Sequence, residues 1–186
     1  MFRRIAKFEK VSFDRFYRDW TDTFFEEKIK ENTDIYSDNW DGIYKEVKSI
    51  YNNIKLPKRA TTGSAGYDFF TPITFALKQN NTIKVPTGIR CKMNKKYGLF
   101  LIPRSGLGFK FREQLDNTVG LIDSDYYNSD NEGHIFAKIT NGCLTDKMLV
   151  VQQGDGFMQG VFLQFGITID DKVNKKRNGG FGSTTK

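Results

Sequence analysis

The chain carries one histidine and two cysteines among its 186 residues, and no long apolar run. Each scarcity closes off some chemistry. The only histidine, His134, sits in a turn-rich stretch, so a serine such as Ser105 has no evident base and a Ser-His-Asp triad is not expected. Cys91 and Cys143 lie far apart and match no metal-ligand spacing, which predicts two free thiols rather than a disulfide. No apolar segment approaches the roughly 18 residues of a membrane span. The basic start, MFRRIAKFEK, leads into no apolar stretch of signal-peptide length, so a cytoplasmic protein is expected. Internal repeats are absent, and low-complexity sequence is confined to the last ten residues.

What is present is a folding composition: 38% hydrophobic residues and 15% aromatics, 17 of them Phe. That suits one domain spanning 1–186, with a proper core. Lys and Arg outnumber Asp and Glu by 29 to 22, a net charge of +7 that favours an anionic partner. The basic residues are scattered, with short clusters at Lys95-Lys96 and Lys175-Lys176-Arg177. A groove for polymeric nucleic acid would show denser clusters with interleaved aromatics. A nucleoside triphosphate is the better match.

Two textures divide the chain. Phe13, Phe16, Tyr17, Trp20 and Phe24 follow helical spacing behind a capping Ser12. A second stripe runs Ile43, Val47, Ile50, Tyr51, Ile54, and ENTDIYSDN reads as the loop between them. After Pro57, short runs such as TIKVPTGIRC, YGLFLIP, HIFAKI, KMLVVQQ and GVFLQFGITI alternate with Gly, Asn and Asp turns. This predicts a mainly β fold, a sandwich or barrel. RRIAKFEKV reads as a further strand, so residues 12–55 form a helical insertion behind strand one.

Five segments could carry chemistry. In NTVGLIDSDYYNSDNEG, residues 117–133, the acids miss the helix–loop–helix calcium pattern, because Tyr127 and Asn128 stand where a ligand and a glycine belong. The stretch reads instead as a β-hairpin: Asn117–Ile122 as one strand, 127–133 as the turn and HIFAKI as the return. Asp123, directly after VGLI, could orient and deprotonate a water, whereas Asp130 and Glu132 read as solvated turn acids. ATTGSAGYDFF places Asp68 beside small residues. LIPRSGLGFK offers Arg104, Ser105, Gly106 and Gly108 as a phosphate cradle. GDGFMQGVF supplies Gln159, and the tail, RNGGFGSTTK, combines Arg177, Phe181 and hydroxyls in an arm (175–186) able to fold over a nucleotide.

In order and spacing, AT-x-GSAGYD, PRSGLG, N-x-VGLIDSDY, GD-x-x-x-Q and R-x-GGFGST resemble the ordered five-motif set of the homotrimeric dUTP pyrophosphatases (dUTPases), over about residues 56–186. The resemblance implies a distorted jelly-roll β-barrel, a homotrimer with shared active sites, and Mg²⁺-assisted hydrolysis of dUTP to dUMP and pyrophosphate. By the same resemblance Asp123 activates the attacking water, Asn117 and the backbone near Gly120 read uracil, and Tyr126 lies against deoxyribose. Arg104, Ser105, Gly106 and Gln159 match phosphate-binding positions, and Asp68 the carboxylate that holds magnesium through water. In the arm, Arg177, Gly182, Ser183 and Thr184 match phosphate contacts, and Phe181 the ring that covers uracil.

The chain departs from the pattern in three places. The fourth motif usually reads G-D-R-x-A-Q, and here Gly156 and Met158 replace the Arg and Ala. The turn after Tyr126 is longer than the usual D-Y-x-G, and the 12–55 segment is additional. That segment could cap the trimer or hold a protein partner. The alternatives are a dCTP deaminase of the same fold, which would want a second motif closer to RSS, and a nucleotide-sensing regulatory protein that uses the insertion.

Overall fold

A computed structural model describes residues 3–25, 40–175 and 177. The expected 31–39 loop and the arm residues Phe181, Gly182, Ser183 and Thr184 lie outside the described residues. Strand β1 (Ala6–Lys10) leads into helix α1 (Phe13–Phe24), and helix α2 (Trp40–Asn53) precedes β2 (Tyr67–Phe70). Strands β3 (Phe75–Leu77), β4 (Thr82–Pro86), β5 (Ile89–Met93) and β6 (Tyr97–Pro103) follow. A short helix α3 (Ser105–Phe111) comes next, then β7 (Glu113–Leu115), β8 (Gly120–Ile122), β9 (Phe136–Asn141), β10 (Leu149–Val151) and β11 (Gly156–Gln164).

The strands pair antiparallel into small sheets that wrap a common core, as in a jelly-roll barrel: β2-β11-β6-β8, β4-β9-β7, β1-β5 and β10-β3. Alternation explains the inward face of β6 and β9, where Leu99, Leu101 and Ile139 are buried. The irregular register of β11 between Gly156 and Met158 leaves the adjacent Phe157 and Met158 both buried. Burying each such side chain contributes about 1.5–3 kcal/mol.

The helices form where the aromatic stripes fall. Ser12 caps α1, its Oγ accepting the Arg15 N–H at 3.1 Å. Phe16, Trp20, Ile43, Val47 and Ile54 are buried in the same cluster as the barrel core. Phe13 meets Tyr44 and Tyr51 edge-on, with ring centroids 5.2 and 5.5 Å apart. The run TIKVPTGIRC breaks into β4 and β5 at Gly88, where the helices dock. Gly88 has φ +72°, and a Cβ there would stand 2.3 Å from Ile54 Cδ1 and 3.3 Å from the Phe16 ring. No side chain fits that position.

Two local expectations need correction. The 117–133 stretch is not a paired hairpin: β8 bonds to β6, while β9 bonds to β4 and β7. Only Gly120–Ile122 is strand, because Thr118 turns the chain with φ 65°. The connection is a 3₁₀ turn (Ser124–Asn128) that carries the chain from one sheet to the other. PRSGLG enters α3, and a Cβ at Gly106 or Gly108 would meet nothing within 4 Å.

Glu132 is not a solvated turn acid. Its carboxylate accepts the Ser12 N–H at 2.8 Å and the Ser12 hydroxyl at 2.6 Å, completing the cap of α1 from across the molecule. Burial alone would raise its pKa, but the Ser12 hydrogen bonds and the Arg90 and Arg15 charges outweigh that and hold it below the usual carboxylate range. Cys91 and Cys143 are both free, and burial pushes the Cys91 thiol up to about 12.

Candidate active site

Strand β8 ends at Ile122, and Asp123 follows in an extended conformation at the head of the 3₁₀ turn. The turn swings Tyr126 inward until it is buried. A cavity of about 250 Å³ opens beside it, lined by Asn117, Gly120, Tyr126 and Arg177, with Leu101 and Ile135 beneath. Gly120 matters for the shape, since a Cβ there would press on the Leu101 side chain at 3.1 Å. Arg177 reaches back from the tail. Its Nη1 donates to Asp123 Oδ2 at 2.5 Å and to Asp125 Oδ1 at 3.3 Å, and the guanidinium carbon lies 5.3 Å from the Tyr126 ring centre. Asp125 therefore shares a cation with Asp123.

The Tyr126 phenol is fixed at its far end. Its hydroxyl donates to the His134 carbonyl at 2.8 Å and accepts from Asn131 Nδ2 at 2.7 Å. Burial pushes the phenol pKa up, against the opposing pull of Asn131 and Arg177, which keeps it a neutral donor. His134, at the end of the turn, is fully buried. Its Nε2 accepts the Gly88 N–H at 2.8 Å, so the ring proton sits on Nδ1 and is donated to Asp19 Oδ2 at 2.5 Å. Burial lowers the His134 pKa more than Asp19 raises it, consistent with a neutral ring. Arg15 closes the chain with two hydrogen bonds to the Asp19 carboxylate. Sequence reading passed over Asp19, yet it falls on the apolar face of α1 between Phe16 and Trp20. An acid at that position requires a partner.

A second group of polar residues gathers where β2, β11 and β6 run side by side. Gln159 Nε2 donates to Asp68 Oδ1 at 2.8 Å, and Arg104 Nε stands 3.5 Å from the same oxygen. Arg104 Nη1 also donates to the Gly156 carbonyl at 3.3 Å. Gly156, where the family pattern has arginine, leaves the space that the Arg104 guanidinium fills: a Cβ there would lie 3.1 Å from Nη1. Ser105 and Gly106 follow, exposed, at the start of α3.

Register keeps the two groups apart. Asp68 pairs with Gln159, Gln159 with Ile102, and β8 lies beyond β6. Three interstrand steps of about 4.8 Å separate Asp68 from the Asp123 strand by roughly 14 Å. Among the described residues no group of three or more His, Cys, Asp or Glu could hold a metal ion. Asp68 alone, with Oδ1 already engaged, fits a magnesium ion carried by phosphate oxygens and water, with the protein as one outer contact. It does not fit a protein-built cage.

The dUTPase family model matches residues 52–185. The chain belongs to the dUTPase family. The match begins near the end of α2, so β1 and α1 precede it. The deoxyuridine 5'-triphosphate nucleotidohydrolase of Lactococcus lactis is 40% identical over 144 residues, covering 75% of this chain and 95% of the relative. That of Haemophilus ducreyi is 37% identical over 145 residues, covering 74% and 91%. Among solved structures, the dUTPase of Streptococcus mutans is 40% identical with a TM-score of 0.55, covering 64% of this chain and 91% of that one. A Staphylococcus bacteriophage 80alpha dUTPase solved with dUPNHPP, 22% identical with a TM-score of 0.54, covers 70% and 92% and shares the fold. No helix among the described residues is long and apolar enough to cross a membrane.

Proposed function

We propose that this chain hydrolyses dUTP to dUMP and pyrophosphate. The carrying observation is a cavity in which Asn117, Gly120, Tyr126 and Arg177 meet, with Arg177 bonded in turn to Asp123. Asn117 and the Gly120 backbone are placed to read the uracil edge. A site built on such polar groups rejects bases that leave them unmatched. The Tyr126 ring forms a floor for deoxyribose, where a 2′-hydroxyl would meet a face already packed.

Asp123 takes a proton from a water and directs its oxygen at the α-phosphorus. The new O–P bond forms as the α–β bridging bond breaks, and pyrophosphate leaves. Arg177 bonds Asp123, and on substrate binding its guanidinium exchanges that carboxylate for phosphate oxygens. Arg104, Ser105, Gly106 and Gln159 hold phosphate oxygens, with Asp68 keeping Arg104 and Gln159 in place. The expected arm contacts of Phe181, Gly182, Ser183 and Thr184 extend this set. Magnesium, held by the triphosphate and water near Asp68, would neutralise charge that develops on the leaving pyrophosphate.

The roughly 14 Å between the Asp68 group and the Asp123 strand is too far for one chain to serve both ends of one phosphoryl transfer. A homotrimer with shared sites answers this, one subunit's phosphate group facing another's nucleoside cavity. The test is pyrophosphate release from each nucleoside triphosphate with Mg²⁺, where dUTP should be strongly preferred. Ammonia release from dCTP would overturn this reading in favour of a deaminase. Asp123→Asn should retain a non-hydrolysable dUTP analogue while losing about 10²–10⁴-fold in turnover. Retained turnover would remove Asp123 from its role.

A further inference from the structure

The two departures from the family pattern nearest the nucleoside cavity, the helical segment and the enlarged turn, are one connected device. Glu132 of the turn caps α1 through Ser12, and His134 at the end of the turn is bonded to Asp19 on the buried face of α1. From His134 the connection passes directly to the cavity, because its carbonyl receives the Tyr126 hydroxyl. Asn131, inside the turn, binds the same hydroxyl, and its own Oδ1 receives the Gly133 N–H and the Ser129 hydroxyl. Gly133, with φ +70°, lets the chain fold tightly back. A Cβ there would stand 2.7 Å from Tyr127 Cα. The Tyr126 ring is thus held at its hydroxyl by a turn that is itself held by α1.

We propose that Asp19 and His134 are positioning residues for the sugar end of the substrate site, through which helix α1 sets the placement of Tyr126. This rests on the reading of Tyr126 as the deoxyribose floor. The physical basis is the number of locks on one imidazole. Nε2 takes the Gly88 N–H, Nδ1–H is donated to Asp19, and the ring packs 4.5 Å from Phe136 and 6.1 Å from Phe16, centre to centre. Neither ring nitrogen is left to rotate toward another partner, so the His134 carbonyl is fixed where Tyr126 needs it. Loss of the Asp19 carboxylate leaves the Nδ1–H buried and unpaired, which favours a shifted ring and a displaced carbonyl. A displacement of a few tenths of an ångström at Tyr126 is enough to relax sugar discrimination while leaving Asp123 where it is.

The experiment compares dUTP with UTP as substrates for the full chain and its Asp19→Ala variant. The selectivity, taken as the ratio of kcat/KM values, should fall about tenfold, mainly through a higher KM for dUTP, with kcat on dUTP within about threefold of wild type. Asp19→Asn keeps an acceptor oxygen for the His134 Nδ1–H and should recover most of the selectivity. Val47→Ala loosens the packing of α2 without touching the linkage, so it should lower the melting temperature and leave selectivity unchanged.

Should Asp19→Ala fail to fold, His134→Leu, which removes the ring donor, carries the same test. It keeps a buried apolar side chain but offers neither the acceptor for the Gly88 N–H nor the donor to Asp19. Unchanged selectivity in the folded variant, or an equal loss in Val47→Ala, overturns the positioning role alone. A wild-type chain that releases no pyrophosphate from dUTP overturns the functional reading and this proposal with it.

Discussion

Glu113 sits at the start of β7, fully enclosed, and neither carboxyl oxygen finds a hydrogen-bond partner among the described residues. Burial pushes its pKa up to about 8, and the nearby Arg104 only partly opposes this. The native state therefore holds this proton more tightly than the unfolded chain does. Stability contributed by the group is complete below the ordinary carboxylate pKa and is lost as pH rises toward 8. Glu113→Gln, which mimics the protonated form, should match wild type near pH 4.5. It should melt clearly higher near pH 8.5, where only the wild-type chain carries the cost of binding or losing that buried proton; melting curves across that window decide it. Gly156 gives a second residue-level expectation. Restoring arginine there sets two guanidinium groups against one another at the Asp68 carboxylate. Gly156→Arg should raise the KM for dUTP several-fold rather than improve the enzyme, and steady-state kinetics would show which.

At the level of elements, α1 is secured at its start by a carboxylate more than a hundred residues away in sequence. Glu132→Gln should lose about 1 kcal/mol, or about 2–4 °C in melting temperature at pH 7. Because the Glu132 pKa is depressed in the native state, that difference should vanish as the pH falls below the carboxylate range. Element existence was largely legible. The aromatic stripes marked α1 from its capping Ser12 onward, and alternation found most strands. Pairing was not legible, because ladder partners are chosen by distant segments. Asn117–Ile122 and HIFAKI look like neighbours in sequence yet enter different sheets. The motif residues of the candidate site could be picked out from order and spacing. Asp19 and His134 could not be joined from sequence, since they are brought together only when the helices dock on the barrel.

The whole molecule presents a basic surface, net charge +7, to a polyanionic substrate. It also carries an exposed apolar run, Phe165, Ile167, Ile169 and Val173, on the extended segment after β11. Light scattering should give a particle three times the 21.5 kDa chain. Deleting residues 175–186 should leave that mass unchanged while reducing turnover; an unaffected turnover would count against the arm. The link between α1 and the 129–134 turn has a consequence for descent and for engineering. A shorter relative that received the helical pair alone would bury Asp19 without its imidazole, and one that received the turn alone would strand His134 and Glu132. The two segments are therefore transferable only as a pair, and any natural chain that keeps one should be expected to keep the other.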